Sequence, residues 1–221
     1  MVRWANVRWC GLGIALSLML AGCGATRSSA DNPTSFGGLT PNTPDTEAGL
    51  VAIAPGFDIR TYKAVVVDTF AVTDSEIQDE GDRSFAVKMT HYLHVQLLRR
   101  LRESGLFQQV TSATDAAAKP ADGPTLRLRG VVTRLGRGSQ AARYFAGLYG
   151  AGRTRAQADM QLLDAVSGKV GLVTADRRVA SVGMFGGSDE EHLEESFNDL
   201  ARDFAKFLVR LSQGQAPKAA P

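Results

Sequence analysis

The sequence predicts an α+β fold: a mixed β-sheet that starts with a βαβ unit, continues as antiparallel hairpins, and has two helices packed on it. Three observations predict this fold. A β-branched apolar run at 63–70 is followed by apolar residues at helical spacing over 85–101. Apolar and polar residues then alternate with period two over 125–135 and 153–164, which is typical of half-buried strands. A second helical stripe of apolar residues lies near the C-terminus, over 193–211.

The chain begins with the features of a secretory signal peptide. Two arginines precede an apolar run over 11–20, which is shorter than the ~20 residues that a membrane-spanning helix needs. The run ends in LAGC at 20–23, which resembles the bacterial lipobox, whose cysteine receives a diacylglycerol before cleavage on its N-terminal side. We therefore expect residues 1–22 to be removed and Cys23 to be lipidated, so that acyl chains hold the protein on a membrane.

Removal of the signal peptide has consequences for chemistry and for charge. It takes away Cys10, so the mature chain keeps no thiol for a disulfide or for nucleophilic catalysis. It also takes away Arg3 and Arg8, and with them the formal net charge of +2. A neutral mature chain gives no reason to expect nucleic-acid binding. Gly24 follows Cys23, where enterobacterial-type lipoproteins kept in the inner membrane have Asp, and this favours the outer membrane, on its periplasmic side.

Residues 23–60 are predicted to be a lipidated, flexible tether. They are rich in Pro, Ser, Thr and Gly and poor in large apolar residues, so they bury too little apolar surface to offset their chain entropy. Within them, only 50–55 has the composition of a short docked segment. A single domain is predicted over 61–212, a length that suits one hydrophobic core, and residues 213–221 are predicted to be a disordered tail.

The first elements of the domain form the predicted βαβ unit. The run at 63–70 predicts a strand buried on both faces. The helix after it has Asp82 or Ser84 as its N-terminal cap, and Gly105 is placed for a left-handed C-terminal cap. A second strand at 106–111 follows the helical crossover.

Long strands follow a break at 119–124. The alternation over 125–135 and 153–164 predicts two of them, and a turn at 165–168 leads into a returning strand at 169–182. On the first of these strands, Arg127 and Arg129 lie on the face opposite the apolar residues.

The last helix is predicted to begin after Ser188, where Ser188 and Glu191 form a capping box. One apolar stripe runs along it, and Lys206 and Arg210 lie near its C-terminal end, where cations complement the helix dipole. Packing on the sheet is the expected role of this stripe. A helix lying in the membrane surface is the less favoured alternative, because the polar face is mixed in sign and rich in Glu.

A glycine-rich loop over 136–152 separates the two long strands. Its glycines do not form a dinucleotide fingerprint, because the spacing is reversed and a strand follows instead of a helix; no Gly-Lys-Ser/Thr follows, which excludes a P-loop. Three interpretations stay open: a structural connection, a contact with a partner protein or another copy of the chain, or insertion of the loop into a membrane after oligomerisation. In the second interpretation the contact residues are Tyr144, Phe145, Tyr149, Arg153 and Arg155.

No cofactor, metal site or catalytic residue is expected. His91 and His94 lie one helical turn apart, but no third ligand follows at a convincing spacing. The acidic stretch at 74–82 departs from the EF-hand pattern, and no Gly-x-Ser-x-Gly sequence marks a nucleophile. We therefore expect that the protein is not an enzyme.

The segment from Arg143 to Lys169 resembles a known family. RYFAGLYGAGRTR at 143–155 runs into a strand that ends in DAVSGK at 164–169. This arrangement resembles the signature of bacterial lipoproteins grouped as domain of unknown function 4410, in which a glycine-rich GAGR run precedes a D..TGK turn; Ser167 stands in the threonine place. The resemblance covers about 60–211. It implies an envelope lipoprotein with no established activity, and it supplies no site residues.

These observations favour a non-catalytic envelope lipoprotein that acts as a structural, assembly or transport-accessory component through protein-protein contacts. The alternative is a periplasmic ligand-binding or glycan-binding protein, hydrolytic activity included. The alternative predicts a concave pocket with convergent polar groups and carboxylates of perturbed pKa. The contact role predicts a convex patch around Tyr144, Phe145 and Tyr149 instead.

Overall fold

The computed structural model describes residues 25–75, 77, 79–115, 123–136, 153–181 and 188–219. In these residues, nine strands form one sheet. The same residues contain two long helices and one short 3-10 helix at Ile59–Thr61. The strands are β1 Thr26–Ser28, β2 Thr43–Asp45, β3 Gly49–Ile53, β4 Ala64–Val67, β5 Ala71–Val72, β6 Gln109–Ser112, β7 Thr125–Gly136, β8 Arg153–Asp164 and β9 Val170–Ser181. The helices are α1 Glu80–Glu103 and α2 Asp189–Ser212.

The sheet is mixed and mostly antiparallel, with strand order β2-β3-β9-β8-β7-β4-β6. β4 pairs in parallel with β6 on one side and with β7 on the other, so β4, α1 and β6 form the predicted βαβ unit. β7, β8 and β9 follow as long antiparallel neighbours. β1 and β3 lie one after the other along the remaining edge of β9. The predicted α+β class, with a mixed sheet and two helices, is confirmed.

One apolar core lies between the helices and one face of the sheet, which we call the helix face. On β8 the helix face consists of Thr154, Ala156, Ala158, Met160 and Leu162, all fully or almost fully buried. The stripes predicted for the helices supply the other side of the core: Phe85, Met89, Leu93, Leu97 and Leu101 from α1, and Leu193, Phe197, Leu200, Phe204 and Leu208 from α2. Among the described residues, neither helix combines the length and the apolar run that crossing a bilayer requires.

The ends of the helices follow local side-chain chemistry. Ser188 and Glu191 form the predicted capping box at the start of α2. Gly105 follows α1 with φ of +65°, a left-handed conformation that glycine adopts readily. The predicted start of α1 at Asp82 or Ser84 is wrong: the helix begins at Glu80, because the Asp79 side chain accepts a hydrogen bond from the backbone N–H of Asp82.

Residues 25–60 belong to the folded domain, which corrects the predicted tether over 23–60 and the predicted start of the domain at 61. β1, β2 and β3 extend the sheet beyond β9, and the docked segment expected at 50–55 coincides largely with β3. Composition suggested a tether because these residues offer little apolar surface. They are held by backbone hydrogen bonds along a strand edge, by polar side chains of β8, and by a few apolar side chains, such as Val51 and Ile59, that reach the core. Composition does not reveal these long-range partners.

The residues after α2 are also held in place, which corrects the predicted disordered tail for 213–219. The backbone N–H of Lys218 donates to Asp45 Oδ2 at 2.8 Å, and the N–H of Thr46 donates to the Lys218 carbonyl at 2.8 Å. Residues 220–221 lie outside the described part of the chain, as do the predicted signal peptide and Cys23.

Candidate contact surface

Most of the predicted contact residues fall on a part of the chain that the structure does not describe. Tyr144, Phe145 and Tyr149 lie outside the described residues. The backbone of Arg153 opens β8 opposite Ser181 of β9.

Arg155 is exposed on the face of β8 that points away from the helices. We call this the outer face; on β8 it includes Arg155, Gln157, Asp159 and Gln161. In the register of the sheet, Arg155 lies between Gly136 of β7 and Val179 of β9.

Two arginines of β7 share a single carboxylate on the outer face. Arg127 Nε lies 2.7 Å from Asp68 Oδ1, and Arg129 Nε lies 2.9 Å from Asp68 Oδ2. The side chains of Arg127 and Arg129 are 39% and 47% exposed, whereas that of Asp68 is 16% exposed. One carboxylate for two guanidiniums leaves a net positive charge on this open part of the sheet. Sequence alternation placed both arginines on one face, but not beside Asp68.

A second basic group lies nearer the end of the long strands. Arg134 of β7 and Arg177 of β9 flank Gln157 in register. Arg134 Nη2 is 3.4 Å from Asp31 Oδ2, which is a weak ion pair. Arg177 Nε is buried without a hydrogen-bond partner among the described residues. Together with Arg155, these side chains make the outer face basic near the strand ends.

An extended segment, residues 29–37, covers the outer face over β8 and β9; we call it the covering segment. The side-chain amide of Gln157 pairs with the backbone of Asp31, accepting from its N–H at 2.8 Å and donating to its carbonyl at 2.9 Å. Further along, a Cβ added to Gly37 would overlap the side chain of Val170, so the backbone lies directly against β9. Gln157 is therefore fully buried, although it lies on the polar face of the strand.

Asp159 is fully buried beneath the covering segment. Its Oδ2 accepts hydrogen bonds from the N–H and from the hydroxyl of Thr34, both at 2.7 Å, and its Oδ1 accepts from Gln157 Nε2 at 3.0 Å. Burial raises the pKa of Asp159, against the opposing effect of the hydrogen bonds from Thr34 and Gln157. A raised pKa in a cleft is typical of a general acid. Here the covering segment closes over the carboxyl, so the arrangement serves to hold the segment.

The helix face contains a buried ion network. Arg178 Nη2 lies 2.8 Å from Asp176 Oδ2 and 3.0 Å from Asp203 Oδ2, and Arg27 Nε lies 2.9 Å from Asp176 Oδ1. Burial alone would raise the pKa of Asp203, but hydrogen bonds from Arg202 and Arg178 outweigh it and lower the pKa. The network links β1, β9 and α2, and its charged groups stabilise the fold.

The two histidines of α1 do not face a common ligand. His91 is exposed, whereas His94 is buried, with Nδ1 3.0 Å from the Asp68 carbonyl oxygen and Nε2 3.0 Å from Ser112 Oγ. A serine beside a histidine is a feature of nucleophilic sites. Ser112 Oγ, however, also bonds to the hydroxyl of Thr114 at 2.7 Å and accepts a hydrogen bond from the Thr114 N–H. These bonds stabilise the turn that follows β6. Among the described residues, no group of three or more His, Cys, Asp or Glu is placed to hold a metal ion.

A hollow of about 230 Å³ lies at the turn between β8 and β9, lined by residues that include Phe57, Tyr62, Asp58, Asp164 and Lys169. Hydrogen bonds from Arg60 lower the pKa of Asp58, and those from Ser167 lower the pKa of Asp164. Lowered pKa values keep both carboxylates ionised, which is the wrong direction for a general acid at neutral pH.

A family model described as "Domain of unknown function (DUF4410)" matches residues 65–183, more than half of the chain. The chain belongs to this family. In the structure, the part that matches the DUF4410 model runs from β4 through α1 to the end of β9, and so contains the long antiparallel strands. Membership confirms the resemblance seen in the sequence. Among curated proteins, none matches the chain.

Several solved structures are similar to this DUF4410 protein. The PelC dodecamer from Paraburkholderia phytofirmans is 16% identical, with 76% of this chain and 96% of that chain covered and a TM-score of 0.46. Protein XCC0632 from Xanthomonas campestris is 13% identical, with 79% of this chain and 95% of that chain covered and a TM-score of 0.48. A minor lipoprotein from Acinetobacter baumannii is 16% identical, with 72% and 98% covered and a TM-score of 0.34. Similarity at this level says nothing about function.

Proposed function

We propose that this protein is an envelope lipoprotein, held on the outer membrane through Cys23 and facing the periplasm, that serves as a non-catalytic assembly or transport-accessory component. The lipobox-like LAGC sequence at 20–23 supports the anchor, and Gly24 supports the outer membrane. Membership of the DUF4410 family, which the sequence resemblance associates with bacterial lipoproteins, supports the envelope location.

The observation that carries the contact role is the open part of the outer face around Arg127 and Arg129. The two side chains are 39% and 47% exposed, and among the described residues Asp68 is the carboxylate that pairs with both. Arginine is enriched at protein interfaces because its planar guanidinium binds carboxylates in a bidentate geometry and stacks on flat groups. The expected partner is therefore an acidic surface, on another envelope protein or on a second copy of this chain.

The buried ionisable groups support a role without catalysis. Arg178 and Arg27 neutralise Asp176 and Asp203 between the sheet and α2. Asp159, whose pKa is raised, is closed off by the covering segment. These groups stabilise the fold where an enzyme would present them to a substrate.

In-cell photo-crosslinking of the full-length lipoprotein tests the contact role. A photoreactive residue in place of Gln161, which is paired with Arg129 in register, should give a discrete adduct. The same residue in place of Val87, exposed on α1, is the control and should give none. Mass spectrometry of the adduct then identifies a foreign protein or a second copy.

Charge variants complete this test. The double change Arg127→Glu and Arg129→Glu should abolish the adduct, whereas Arg127→Lys with Arg129→Lys should retain part of it. Thermal denaturation of the purified variants shows whether the fold is intact. An adduct that persists after charge reversal in a folded protein would contradict the proposed contact.

The predicted set Tyr144, Phe145, Tyr149, Arg153 and Arg155 is tested in the same way. With the photoreactive residue at Tyr149, the crosslinked partner is either a protein, as the contact interpretation predicts, or a lipid. Absence of any adduct in a folded protein would favour a structural connection.

The anchor has a separate test. Cys23→Ser, in a chain exported behind an ordinary cleavable signal peptide, should move the protein from washed membranes to the soluble periplasmic fraction. Retention in washed membranes would contradict attachment through acyl chains.

The alternative function, binding of a small ligand or glycan, is favoured by one feature of the hollow at the β8–β9 turn. The rings of Phe57 and Tyr62 lie with their centroids 6.0 Å apart beside Lys169, which combines an apolar surface with a polar group. Calorimetric titration with soluble cell-wall glycan fragments tests it, with Tyr62→Ala as the matched variant. Heat of binding that is lost in this variant would establish the alternative.

A further inference from the structure

The expected lipidation site is only three residues from the folded domain. Cys23 lies outside the described residues, but β1 begins at Thr26, and three residues of chain span at most roughly 10 Å. β1 runs antiparallel to β9, from Thr26 beside Val179 to Ser28 beside Arg177. The chain that precedes Thr26 therefore leads toward the end of the sheet where β9 finishes.

Four strands share this end of the sheet. Thr26, Val179, Arg155 and Gly136 form one row across β1, β9, β8 and β7. We call this row and the strand ends just beyond it the anchor end. The opposite end is the hairpin tip, the turn at 165–168 between β8 and β9. Each of these two strands has 12 residues, which at ~3.3 Å per residue separates the two ends by about 40 Å.

The outer face is basic at the anchor end. Arg155 is exposed there, and Arg134 and Arg177 lie in the neighbouring row on either side of Gln157. The described carboxylates of the outer face in this region are Asp31, weakly paired with Arg134, and Asp159, closed off by the covering segment.

The helix layer has the opposite charge at the same end. Asp74 Oδ2 accepts a hydrogen bond from the Leu135 N–H at 2.7 Å, which places the start of α1 beside the end of β7. Lys88, in the third turn of α1, forms an ion pair with Glu190 in the first turn of α2, so α2 also starts near this end. The acidic residues of these helix starts are Asp79, Glu80 and Asp82 of α1 and Asp189, Glu190 and Glu191 of α2.

We propose that the anchor end lies directly against the membrane surface, with the outer face inclined toward it, so that Arg155, Arg134 and Arg177 meet the phosphate groups of anionic phospholipids. The proposal rests on the lipidation of Cys23. A tether of many residues would let the domain turn freely, whereas roughly 10 Å of chain holds the sheet end at the headgroups.

The charge distribution at the anchor end determines which face of the domain inclines toward the membrane. Basic side chains near an anionic bilayer are attracted to it, and this attraction acts within about a Debye length of the surface. The acidic helix starts are repelled over the same distance. The outer face therefore turns toward the bilayer, and the hairpin tip points into the periplasm, at most about 40 Å from the anchor end. This geometry gives Arg155 a lipid as its partner, in place of the protein that the sequence predicts.

Position-specific quenching measures this geometry. Once the signal peptide is removed and Cys23 is acylated, the chain has no other thiol, so an introduced cysteine can be labelled uniquely. The acylated protein is reconstituted in vesicles of phosphatidylcholine and phosphatidylglycerol that contain a headgroup quencher. A fluorophore on Thr26→Cys should be quenched strongly, and one on Val166→Cys, which is 94% exposed at the hairpin tip, should be quenched several-fold less. Equal quenching at the two positions would overturn the proposal.

A second pair of labelled positions measures the inclination of the domain. A label on Arg129→Cys, on the outer face, should be quenched more than one on Val95→Cys, on the exposed side of α1. Both positions lie about 23 Å from the anchor end, at ~3.3 Å per strand residue and ~1.5 Å per helix residue. Arg155→Glu should reduce this difference, whereas Arg60→Glu, an exposed change in the 3-10 helix, should leave it unchanged. Greater quenching at Val95→Cys would show that the helix layer faces the bilayer, and would overturn the assignment of Arg155 to phospholipid.

Vesicle flotation separates failure of this proposal from failure of the proposed function. Protein that does not float with the vesicles lacks a functional lipid anchor, which overturns both. Protein that floats, carries the acyl mass and is quenched equally at Thr26→Cys and Val166→Cys is anchored but not oriented, which overturns this inference alone.

Discussion

The two faces of β8 and β9 bury charged groups in opposite ways. On the helix face, Asp176 lies in contact with Arg178, which also reaches Asp203 of α2. On the outer face, Asp159 is just as completely buried, but its hydrogen-bond partners are the uncharged Thr34 and Gln157. The first site is an ion network across two layers of the fold, and the second is a carboxyl under a single extended segment.

The difference shows two ways in which a fold compensates the free-energy cost of burying a carboxyl group. Where guanidiniums bind the carboxylate, as at Asp203, the pKa falls and the charged form is retained. Where neutral donors bind it, as at Asp159, burial prevails and the pKa rises. The helix-face network should therefore be sensitive to the loss of any partner, and the outer-face site should be sensitive to pH.

The largest effect is expected from breaking the helix-face network. Arg178→Ala leaves Asp176 buried with only Arg27 beside it, and removing one partner of a buried ion pair destabilises a protein by about 3–5 kcal/mol. Urea denaturation measures the free energy of unfolding. Arg60→Ala, which removes a surface ion pair with Asp58, is the control and should change little. A loss no larger than that of the control would show that the network contributes nothing.

A second charge in the outer-face site should have the next largest effect. Gln157→Glu removes the amide that donates to the Asp31 carbonyl and to Asp159, and places a carboxyl beside another carboxyl. We expect a loss of about 3 kcal/mol at neutral pH, largely recovered in acid, because protonation restores a donor. Denaturation at both pH values measures it. An equal loss in acid would mean that shape, and not charge, is responsible.

Loss of one hydrogen bond to the covering segment should have a smaller effect. Thr34→Val keeps the shape of the side chain but removes the hydroxyl that donates to Asp159, and a hydrogen bond to a charged group contributes about 1.5 kcal/mol or more. Thr40→Val is the matched control, since the Thr40 hydroxyl bonds only to the exposed Ser35 among the described residues. Hydrogen exchange should show faster opening of residues 29–37 in Thr34→Val alone.

The smallest effect is a change in pH dependence. Because the pKa of Asp159 is raised above its ordinary value of 3.8, the folded protein binds this proton more tightly than the unfolded chain. The resulting stabilisation is complete below the ordinary pKa and is lost as pH rises through the raised pKa. Asp159→Asn lacks this titration.

Urea denaturation from about pH 4 to about pH 8 checks the prediction. The free energy of unfolding of the wild type should fall relative to that of Asp159→Asn as pH rises. A constant difference between the two proteins would show that Asp159 titrates alike in the folded and unfolded chains.

The regular elements were predictable because their signals are local. The period-two alternation marked β8 at 153–164, which are its bounds in the structure, and the capping box at Ser188 marked the start of α2. The start of α1 was misplaced because Asp79, Asp82 and Ser84 all have side chains suited to an N-terminal cap, and only the geometry shows that Asp79 is used.

The candidate surfaces were predictable only in part. Alternation placed Arg127 and Arg129 on one face and marked Arg155 as a strand residue. Their neighbours depend on which strands pair: Asp68, just after β4, reaches the first two, and Arg134 and Arg177 come near Arg155 through the register of β7 and β9. A single sequence contains no signal for these pairings.

By itself, the sequence determined the elements that repeat with a period, the apolar stripes that form the core, and the lipobox-like start of the chain. Only the tertiary structure decided that residues 25–60 are part of the sheet, that Asp159 is closed off by Thr34, and that the expected anchor site lies three residues from a strand. The physical reason is distance along the chain. Hydrogen bonds such as that between Asp31 and Gln157 join residues 126 positions apart, and composition or periodicity in one stretch cannot report on a partner so remote.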